Sequence, residues 1–299
     1  MQLRYDDVEV SVPATSANLG PGFDCLGLAL DLRDKVRARA ITGPSEVRVT
    51  GEGSRSIPTG EDHLVVRAIR IGLDFAGAPQ VGLSLVCRNA IPHGRGLGSS
   101  AAAVVAGLMI ARQMVDNDEA LGLDSVLHLA SEMEGHPDNA APAIHGGVRL
   151  AWMEGGAAQS IPLPISDHIR PTVIVPSFEV STSRARHLLP PTVPFDDAAF
   201  TAARAAMLVA ALQDPTLLLS ATEDRLHQPY RREVLGASLE VVDQLRARGL
   251  PAVISGAGPT VLVLGELDHV TTTALRTQRW RVWPTPVDTR GAVVAPVGA

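Results

Sequence analysis

The sequence has few cysteines and lysines, and little concentrated positive charge. Its 299 residues include two cysteines, Cys25 and Cys87, without CxxC spacing, which excludes a cysteine-based zinc site and a disulfide scaffold. Lys35 is the only lysine, so lysine-dependent chemistry has at most one candidate. The net charge is −6 and no basic block occurs, which argues against a nucleic-acid partner.

Long apolar runs are also missing. The longest, 101–111, is far below the ~20 residues of a membrane span, so we expect no membrane partner. The first seven residues contain no apolar stretch that could act as a signal, so we expect a cytoplasmic protein. Hydrophobic residues make up 45% of the chain and charged residues 19%, which predicts a folded protein of one large or two modest domains.

The hydrophobic pattern predicts an α+β protein with two domains, residues 1–165 and 166–299. Prolines punctuate 157–171, where we place the boundary. The second half has the order β-α-β-β-α-β, which is the ferredoxin-like arrangement. In the first half, Val8–Val12 alternates like a strand, whereas Pro13–Gly27 has the composition of a turn. Helices are predicted at 62–75, 99–114 and 123–134.

A glycine-rich loop at 92–98 follows a predicted strand and precedes a predicted helix. Its glycines would let the backbone approach a ligand, and the free N–H groups of the helix would bind phosphate. The simplest alternative is a tight turn capped by Ser99. A Walker A loop is excluded because Ser99 stands where its lysine should be. A Rossmann site remains as an alternative, with Asp116 as its acidic residue, although the helix leaves no room for the second strand.

A polar cluster occupies 132–139. Glu132 lies near a helix end, where its carboxylate could hold a magnesium ion that bridges phosphates. Glu132 and His136 are four residues apart, which also invites a zinc interpretation, but Gly135 breaks the helix between them. For Glu134 we favour a solvated charge at the helix end.

Further polar groups occur in three other segments. Asn18 and Asp24 lie among glycines and apolar residues, where they could also cap turns. Two arginines at 184 and 186 could clamp a carboxylate or form a charged helix face. Arg231 offers similar chemistry, and its neighbour Arg232 makes the assignment between the two ambiguous.

Taken together, five segments resemble the homoserine kinases, a branch of the GHMP kinases. The segments are 13–24, 94–101, 135–139, 182–186 and 255–260. The resemblance implies ATP-dependent phosphorylation of the side-chain hydroxyl of L-homoserine, a step toward threonine. It also implies an N-terminal domain related to a ribosomal-protein fold, a ferredoxin-like C-terminal domain and a homodimer.

The resemblance also implies roles for individual residues. The Mg2+ ligands fall on Ser100 and Glu132. The L-homoserine contacts fall on Asn18, Asp24, His136, Asn139, Thr182, Arg186 and Arg231. The ATP contacts fall on His63, Pro92, His93, Gly94, Arg95, Gly96, Leu97, Gly98, Ser99, Ser100, Ala101 and Ala102.

The residues that the resemblance assigns to the site include no strong side-chain base. Some GHMP kinases use an aspartate base with a lysine, but here Asn139 stands in that place and no motif contains a lysine. We therefore predict direct transfer, in which Asn139 orients the hydroxyl and a phosphate oxygen takes its proton. Asp24 has two open roles, a weak base or, preferably, a partner for the substrate ammonium. The alternatives are another GHMP small-molecule kinase, a nicotinamide-dependent oxidoreductase and a non-catalytic regulatory module.

Overall fold

The computed structural model describes residues 2–296; Met1 and residues 297–299, at the outer ends of the predicted domains, lie outside the described residues. The strands are β1 (Asp7–Asn18), β2 (Gly22–Ile41), β3 (Glu46–Gly51), β4 (Gly82–Asn89), β5 (Val148–Glu154), β6 (Ala157–Leu163), β7 (Thr172–Val175), β8 (Ala252–Ile254), β9 (Val261–Val263), β10 (Arg281–Pro284) and β11 (Val293–Pro296). The helices are α1 (Leu64–Phe75), α2 (Ser99–Val115), α3 (Leu123–Glu134), α4 (Ala140–His145), α5 (Thr182–His187), α6 (Phe195–Ala211), α7 (Leu218–Ala221), α8 (Arg232–Ala247) and α9 (His269–Thr277).

The first sheet is built around the long antiparallel pair β1 and β2. Its strand order is β11-β1-β2-β4-β3, and β5 with β6 extends it from β2. The sequence predicted a turn-rich segment at Pro13–Gly27, which is wrong, because β1 continues to Asn18 and β2 begins at Gly22. Every residue from Val12 to Gly20 is buried, so small residues typical of loops here pack inside a sheet.

Helix α2 runs through the core of the first half. It is apolar on nearly all sides, as expected for a helix that is buried all round. Gly107 lets α1 approach closely, because a Cβ there would lie 2.5 Å from the Ala68 Cβ and 2.6 Å from the Val65 carbonyl oxygen. The predicted helix at 123–134 coincides with α3, and the predicted helix at 99–114 ends one residue before α2 does.

The second sheet confirms the ferredoxin-like prediction. Its strand order is β10-β7-β9-β8, with antiparallel neighbours, as the β-α-β-β-α-β connectivity requires. A separate apolar cluster lies between this sheet and the helices α8 and α9, with Leu235, Leu239 and Leu275 among its members.

Two strands, β6 and β11, were not predicted from the sequence. Strand β6 lies inside the proline-punctuated stretch and pairs with β5. Strand β11 pairs with β1, so the chain returns to the first sheet at its end, whereas the predicted division assigned all of 166–299 to the second domain. The return is fixed by Arg33, which forms an ion pair with Asp288 and donates to the Gly291 carbonyl oxygen at 2.7 Å.

Candidate active site

A cavity of about 460 Å3 lies where the two halves meet. Its walls come from the turn between β1 and β2, the glycine-rich loop at 92–98, the first turn of α2, the end of α3, and α5. The loop around Gly256 closes it from the second half.

The glycine-rich loop is pressed against both halves. A Cβ on Gly96 would lie 2.3 Å from the Ser255 carbonyl oxygen, and one on Gly98 would lie 1.9 Å from Thr15 Oγ1. Gly98 takes φ +66° and is the N-cap of α2, so Ser99 is the first residue of the helix and not its cap. The loop thus has little room for side chains, and the first residues of α2, whose N–H groups have no partner within the helix, line the cavity.

A hydrogen-bond chain orients the hydroxyl of Ser99. Asn89 Nδ2 donates to the Glu52 carbonyl oxygen at 3.4 Å and lies 3.3 Å from His93 Nε2. Because the amide nitrogen is a donor, His93 Nε2 accepts, and its Nδ1–H donates to Ser99 Oγ at 3.1 Å. Burial lowers the pKa of His93, which keeps the ring neutral as this arrangement requires. The hydroxyl hydrogen of Ser99 is then free to donate into the cavity.

Ser100 and Glu134 meet at the cavity wall. Ser100 Oγ donates to Glu134 Oε2 at 2.5 Å. Burial raises the pKa of Glu134, while the hydrogen bond from Ser100 lowers it. A carboxylate and a hydroxyl oxygen are ligands that Mg2+ accepts, and Mg2+ usually takes its remaining ligands from phosphates and water. Among residues 2–296 no group of three or more His, Cys, Asp or Glu side chains could hold a metal ion by itself.

Glu132, the expected magnesium ligand, lies elsewhere. Its side chain is 60% exposed, pairs with His128 at 3.6 Å and does not line the cavity. The helical period explains the difference. Glu134 follows the buried Ala130 by four residues and the buried Leu127 by seven, whereas Glu132 follows the half-buried His128 by four. The spacing of apolar residues along α3 could therefore have shown from the sequence that Glu134, and not Glu132, faces the interior.

Asn139 is held between two neighbours. Thr15 Oγ1 donates to Asn139 Oδ1 at 2.8 Å, and Asn139 Nδ2 lies 3.3 Å from Asp138 Oδ1. The Asp138 carboxylate also lies 2.5 Å from His136 Nδ1, and this hydrogen bond raises the pKa of His136 although burial opposes it. The amide of Asn139 therefore presents a donor to the cavity, and a carboxamide does not accept a proton at neutral pH.

A cationic wall of the cavity is formed by Arg186 and Arg231, next to the carboxylate of Asp24. Arg186 Nη2 donates to Asp24 Oδ1 at 2.7 Å. Arg231 is buried, and its guanidinium donates to the Ala185 carbonyl oxygen at 3.1 Å and to His227 Nδ1 at 3.1 Å. Both guanidinium groups lie over the ring of Phe23, at 5.7 and 5.6 Å from its centroid. The negative face of the Phe23 ring attracts both cations.

Asn18 shapes the turn that presents Asp24. Its Oδ1 accepts from the backbone N–H of Asp24 at 3.0 Å, and its Nδ2 donates to the Gly256 carbonyl oxygen at 3.0 Å. Asn18 and Asp24 both have positive φ, 71° and 56°. This turn therefore links the first half to the Gly256 loop of the second half.

The far end of the cavity is more apolar. Val36, Ile57 and Leu64 line it together with the buried His63, whose Nδ1 accepts from the Val65 N–H at the start of α1. Asp34 also lines this end. Its Oδ1 accepts from the backbone N–H groups of Ala90 and Ile91, and burial raises its pKa to about 6.

The cavity gathers most of the residues singled out from the sequence. All seven expected homoserine contacts line it, as do His63 and the loop from Pro92 to Ser100 with Ala102. Ala101 does not line it, because its side chain is buried in the core. The structure also separates Arg231 from Arg232, which lies outside the cavity and pairs with Asp243.

Two alternative interpretations lose support. Asp116 ends α2 and pairs with Arg4, so it does not lie on the second strand of a Rossmann unit. His136 contacts Asp138, whereas Glu132 contacts His128, so these two residues do not form a zinc pair.

Comparison with known proteins identifies the family. The family model of the GHMP kinases N terminal domain matches residues 63–147. A homoserine kinase from Streptomyces avermitilis is 50% identical over 299 residues, which covers 99% of this chain and 98% of the relative. The chain belongs to the homoserine kinase family. A homoserine kinase from Clavibacter michiganensis subsp. michiganensis is 48% identical over 96% of this chain and 93% of its own length. The family prediction is confirmed.

Solved structures confirm the fold. A homoserine kinase from Cytophaga hutchinsonii superposes with a TM-score of 0.84 at 27% identity, and 99% of each chain is covered. A mevalonate diphosphate decarboxylase from Staphylococcus aureus superposes with a TM-score of 0.70 at 14% identity, over 97% of this chain and 98% of that one, and shares the fold alone. The α+β GHMP kinase fold predicted from the sequence is therefore correct.

Proposed function

We propose that the chain transfers the γ-phosphoryl group of ATP to the side-chain hydroxyl of L-homoserine, giving O-phospho-L-homoserine in threonine biosynthesis. One observation carries this proposal: the glycine-rich loop at 92–98, Asn139, and the charged side chains of Asp24, Arg186 and Arg231 line a single cavity. The relatives named homoserine kinase at about half identity support the same substrate.

The glycine-rich loop would hold the phosphates through backbone N–H groups and the Ser99 hydroxyl. Gly96 and Gly98 give the loop the close packing on Ser255 and Thr15 that fixes its curvature. The N-terminus of α2 adds partial positive charge on the same side. Phosphoryl transfer depends on such positioning and charge neutralisation more than on covalent chemistry by the protein.

Ser100 and Glu134 would hold a Mg2+ ion. When bound with ATP, the ion neutralises charge on the phosphate oxygens and orients them. Glu134 is half-buried at the cavity wall, and Ser100 already lies against its carboxylate. Glu132 stays a prediction of the sequence, and its exposed position on the other face of α3 does not support it.

The cationic wall would bind the amino-acid end of homoserine. Arg186 and Arg231 can each give N–H groups to a carboxylate, and Asp24 can accept from the ammonium group. Thr182 and His136 also line this part of the cavity and can donate or accept with the backbone atoms of the substrate. The wall is complementary to a zwitterion.

Asn139 would orient the reacting hydroxyl. Thr15 and Asp138 fix its amide, so its Nδ2–H can donate to the hydroxyl oxygen of homoserine. The proton of that hydroxyl then leaves to a phosphate oxygen, because Asp24 is assigned to the ammonium group of the substrate and not to proton abstraction. This is direct transfer without a strong side-chain base.

An ADP-release assay tests the function. The purified chain is given ATP and Mg2+ with L-homoserine, mevalonate, shikimate or galactose. We expect the highest kcat/KM with L-homoserine. Faster turnover of mevalonate or a sugar at equal concentration would assign the chain to another GHMP small-molecule kinase, and no ADP release with any acceptor would favour a non-catalytic module.

The resemblance also supports a homodimer, a cytoplasmic location and a division into GHMP N-terminal and ferredoxin-like domains near residue 165. Light scattering on the purified chain tests the dimer. No helix within residues 2–296 has the length and apolar character to cross a membrane.

A further inference from the structure

Arg95 belongs to the glycine-rich loop at 92–98, called the phosphate loop from here on. Its guanidinium makes most of its contacts with the second half of the chain. Its Nε donates to the Pro176 carbonyl oxygen at 3.2 Å, and its Nη2 donates to the Ser177 carbonyl oxygen at 2.9 Å. Its Nη1 donates to the His93 carbonyl oxygen at 3.1 Å and lies 2.8 Å from Glu179 Oε1. Four acceptors therefore use the N–H groups that a phosphate would need.

The segment that Arg95 holds leads directly to the amino-acid wall. Residues 176–181 connect β7 to α5, and α5 carries Thr182 and Arg186. A backbone bond supports the same junction, since Val180 N–H donates to the Gly94 carbonyl oxygen at 3.2 Å. The position of Arg186 is thus tied, through six residues of chain, to the phosphate loop.

The carbonyl bonds matter more than the ion pair at this junction. The side chain of Arg95 is 12% exposed, whereas that of Glu179 is 70% exposed, and an ion pair with so exposed a partner contributes little. The planar guanidinium fork reaches three carbonyl oxygens at once, which a lysine ammonium on a flexible stem does not reproduce. Removal of the fork leaves three backbone acceptors without their donors.

We propose that Arg95 is a positioning residue for the amino-acid substrate rather than a phosphate ligand, and that it couples the phosphate loop to the segment bearing Arg186. The inference rests on the proposed function, because it takes Arg186 as a ligand of the homoserine carboxylate. Order in the phosphate loop is thereby transmitted to the carboxylate-binding wall through one side chain.

Steady-state kinetics on four variants test the inference. Arg95→Ala removes the fork, Arg95→Lys keeps the charge, and Glu179→Gln keeps the carbonyl bonds while it removes the ion pair. Arg88→Ala is the matched control, because Arg88 is an exposed arginine of β4 outside the cavity. Each protein is assayed with L-homoserine and with 3-amino-1-propanol, which has the same amino alcohol but no carboxylate.

We expect Arg95→Ala and Arg95→Lys to raise the homoserine KM about 10-fold, with the ATP KM within about 2-fold of wild type. The kcat/KM for 3-amino-1-propanol should stay within about 2-fold, since that acceptor makes no use of Arg186. Glu179→Gln and Arg88→Ala should change each value by less than about 2-fold.

Three results would overturn the inference. A rise in the ATP KM alone would make Arg95 a phosphate ligand. Equal losses with both acceptors would make it a general support of the loop, and full rescue by lysine would show that charge and not the fork is what matters.

Hydrogen exchange gives a readout that does not depend on the substrate. Arg95→Ala should speed amide exchange over 177–187 by about 10-fold and leave α3 unchanged, because only the first segment loses its anchors. Unchanged exchange over 177–187 contradicts the coupling. If instead the wild type releases no ADP with homoserine, the proposed function fails while the exchange result still decides whether Arg95 holds the segment.

Discussion

Replacement of Glu134 by glutamine, compared with the same change at Glu132, tests which of these two carboxylates on α3 binds Mg2+. Glu134→Gln keeps the size of the side chain and its ability to accept from Ser100, but it removes the negative charge at the cavity wall. Glu132→Gln makes the same chemical change two residues away, on a side chain that is 60% exposed and paired with His128. The pair of variants therefore isolates the position of the charge.

The expected loss follows from electrostatics. A pair of unit charges about 4 Å apart near a protein surface interacts with about 4 kcal/mol. The glutamine variant loses this attraction but also avoids the cost of desolvating an anion. That cost exists in the wild type, because burial raises the pKa of Glu134. We therefore expect kcat/KM to fall by about 10²–10³-fold, or about 3–4 kcal/mol in transition-state stabilisation.

The assay is ADP release with L-homoserine over a range of Mg2+ concentrations. Glu134→Gln should need much more Mg2+ for half-maximal rate, and calorimetry should show weaker binding of ADP in the presence of Mg2+ but not in its absence. Glu132→Gln should differ from wild type by less than about 2-fold, as exposed charges do. Thermal unfolding of both variants checks that folding is intact.

One outcome refutes the assignment. If Glu132→Gln loses turnover and Mg2+ dependence while Glu134→Gln keeps them, the side chain that contacts Ser100 is not the metal ligand, and α3 must change its exposed face when substrates bind.

Substitutions at three further residues test other parts of the site. Arg186→Lys should raise the homoserine KM by about 10–100-fold and change the ATP KM little, because lysine cannot form two parallel bonds to a carboxylate; steady-state kinetics with 3-amino-1-propanol should show a smaller effect, and an unchanged homoserine KM removes Arg186 from the site. Asn139→Ala should lower kcat by about 10²-fold through lost positioning, with no new ionisation in the pH profile; if Asn139→Asp were far more active than wild type, a base would be limiting. Asp34→Asn should increase the free energy of unfolding at neutral pH by up to about 3 kcal/mol, because the buried carboxyl of Asp34, with its pKa raised to about 6, is costly to ionise in the folded state. That gain should be full above about pH 6 and vanish as the pH falls below about 4, where Asp34 is protonated in both states; chemical denaturation across this range measures it, and a gain independent of pH contradicts the shift.

Periodic elements were predictable from the sequence. Helix α3 has the bounds that the apolar spacing and the following Gly135 indicate. The ferredoxin-like order was also correct, because β7, β8 and β9 are short segments that are buried throughout. The segment Pro13–Gly27 was not predictable in this way, because its alanines, serines and glycines satisfy tertiary packing rather than local turn preferences.

The sequence predicted which residues line the cavity better than it predicted which way their side chains face. Asn18, Asp24 and Arg186, which the motifs singled out, line one cavity, and their contacts with homoserine stay a prediction. The choice between Glu132 and Glu134 needed the phase of α3, and the role of Arg95 needed a partner segment that lies 81 residues away from it in the sequence at Pro176. A guanidinium can donate to a phosphate or to backbone carbonyl oxygens, so the residue type alone does not tell which partner Arg95 has. The fold determines it.

The return of β11 to the first sheet has a consequence for how the chain is made. Strand β1 is synthesised long before residues 293–296, which pair with one of its edges. Until then that edge, with Val8 and Val10 on it, has free backbone groups open to other strands. The second sheet, whose strands all lie between β6 and β11, can form earlier. The first sheet is therefore completed after the second, and loss of β11 by nonsense mutation or proteolysis exposes an edge of β1.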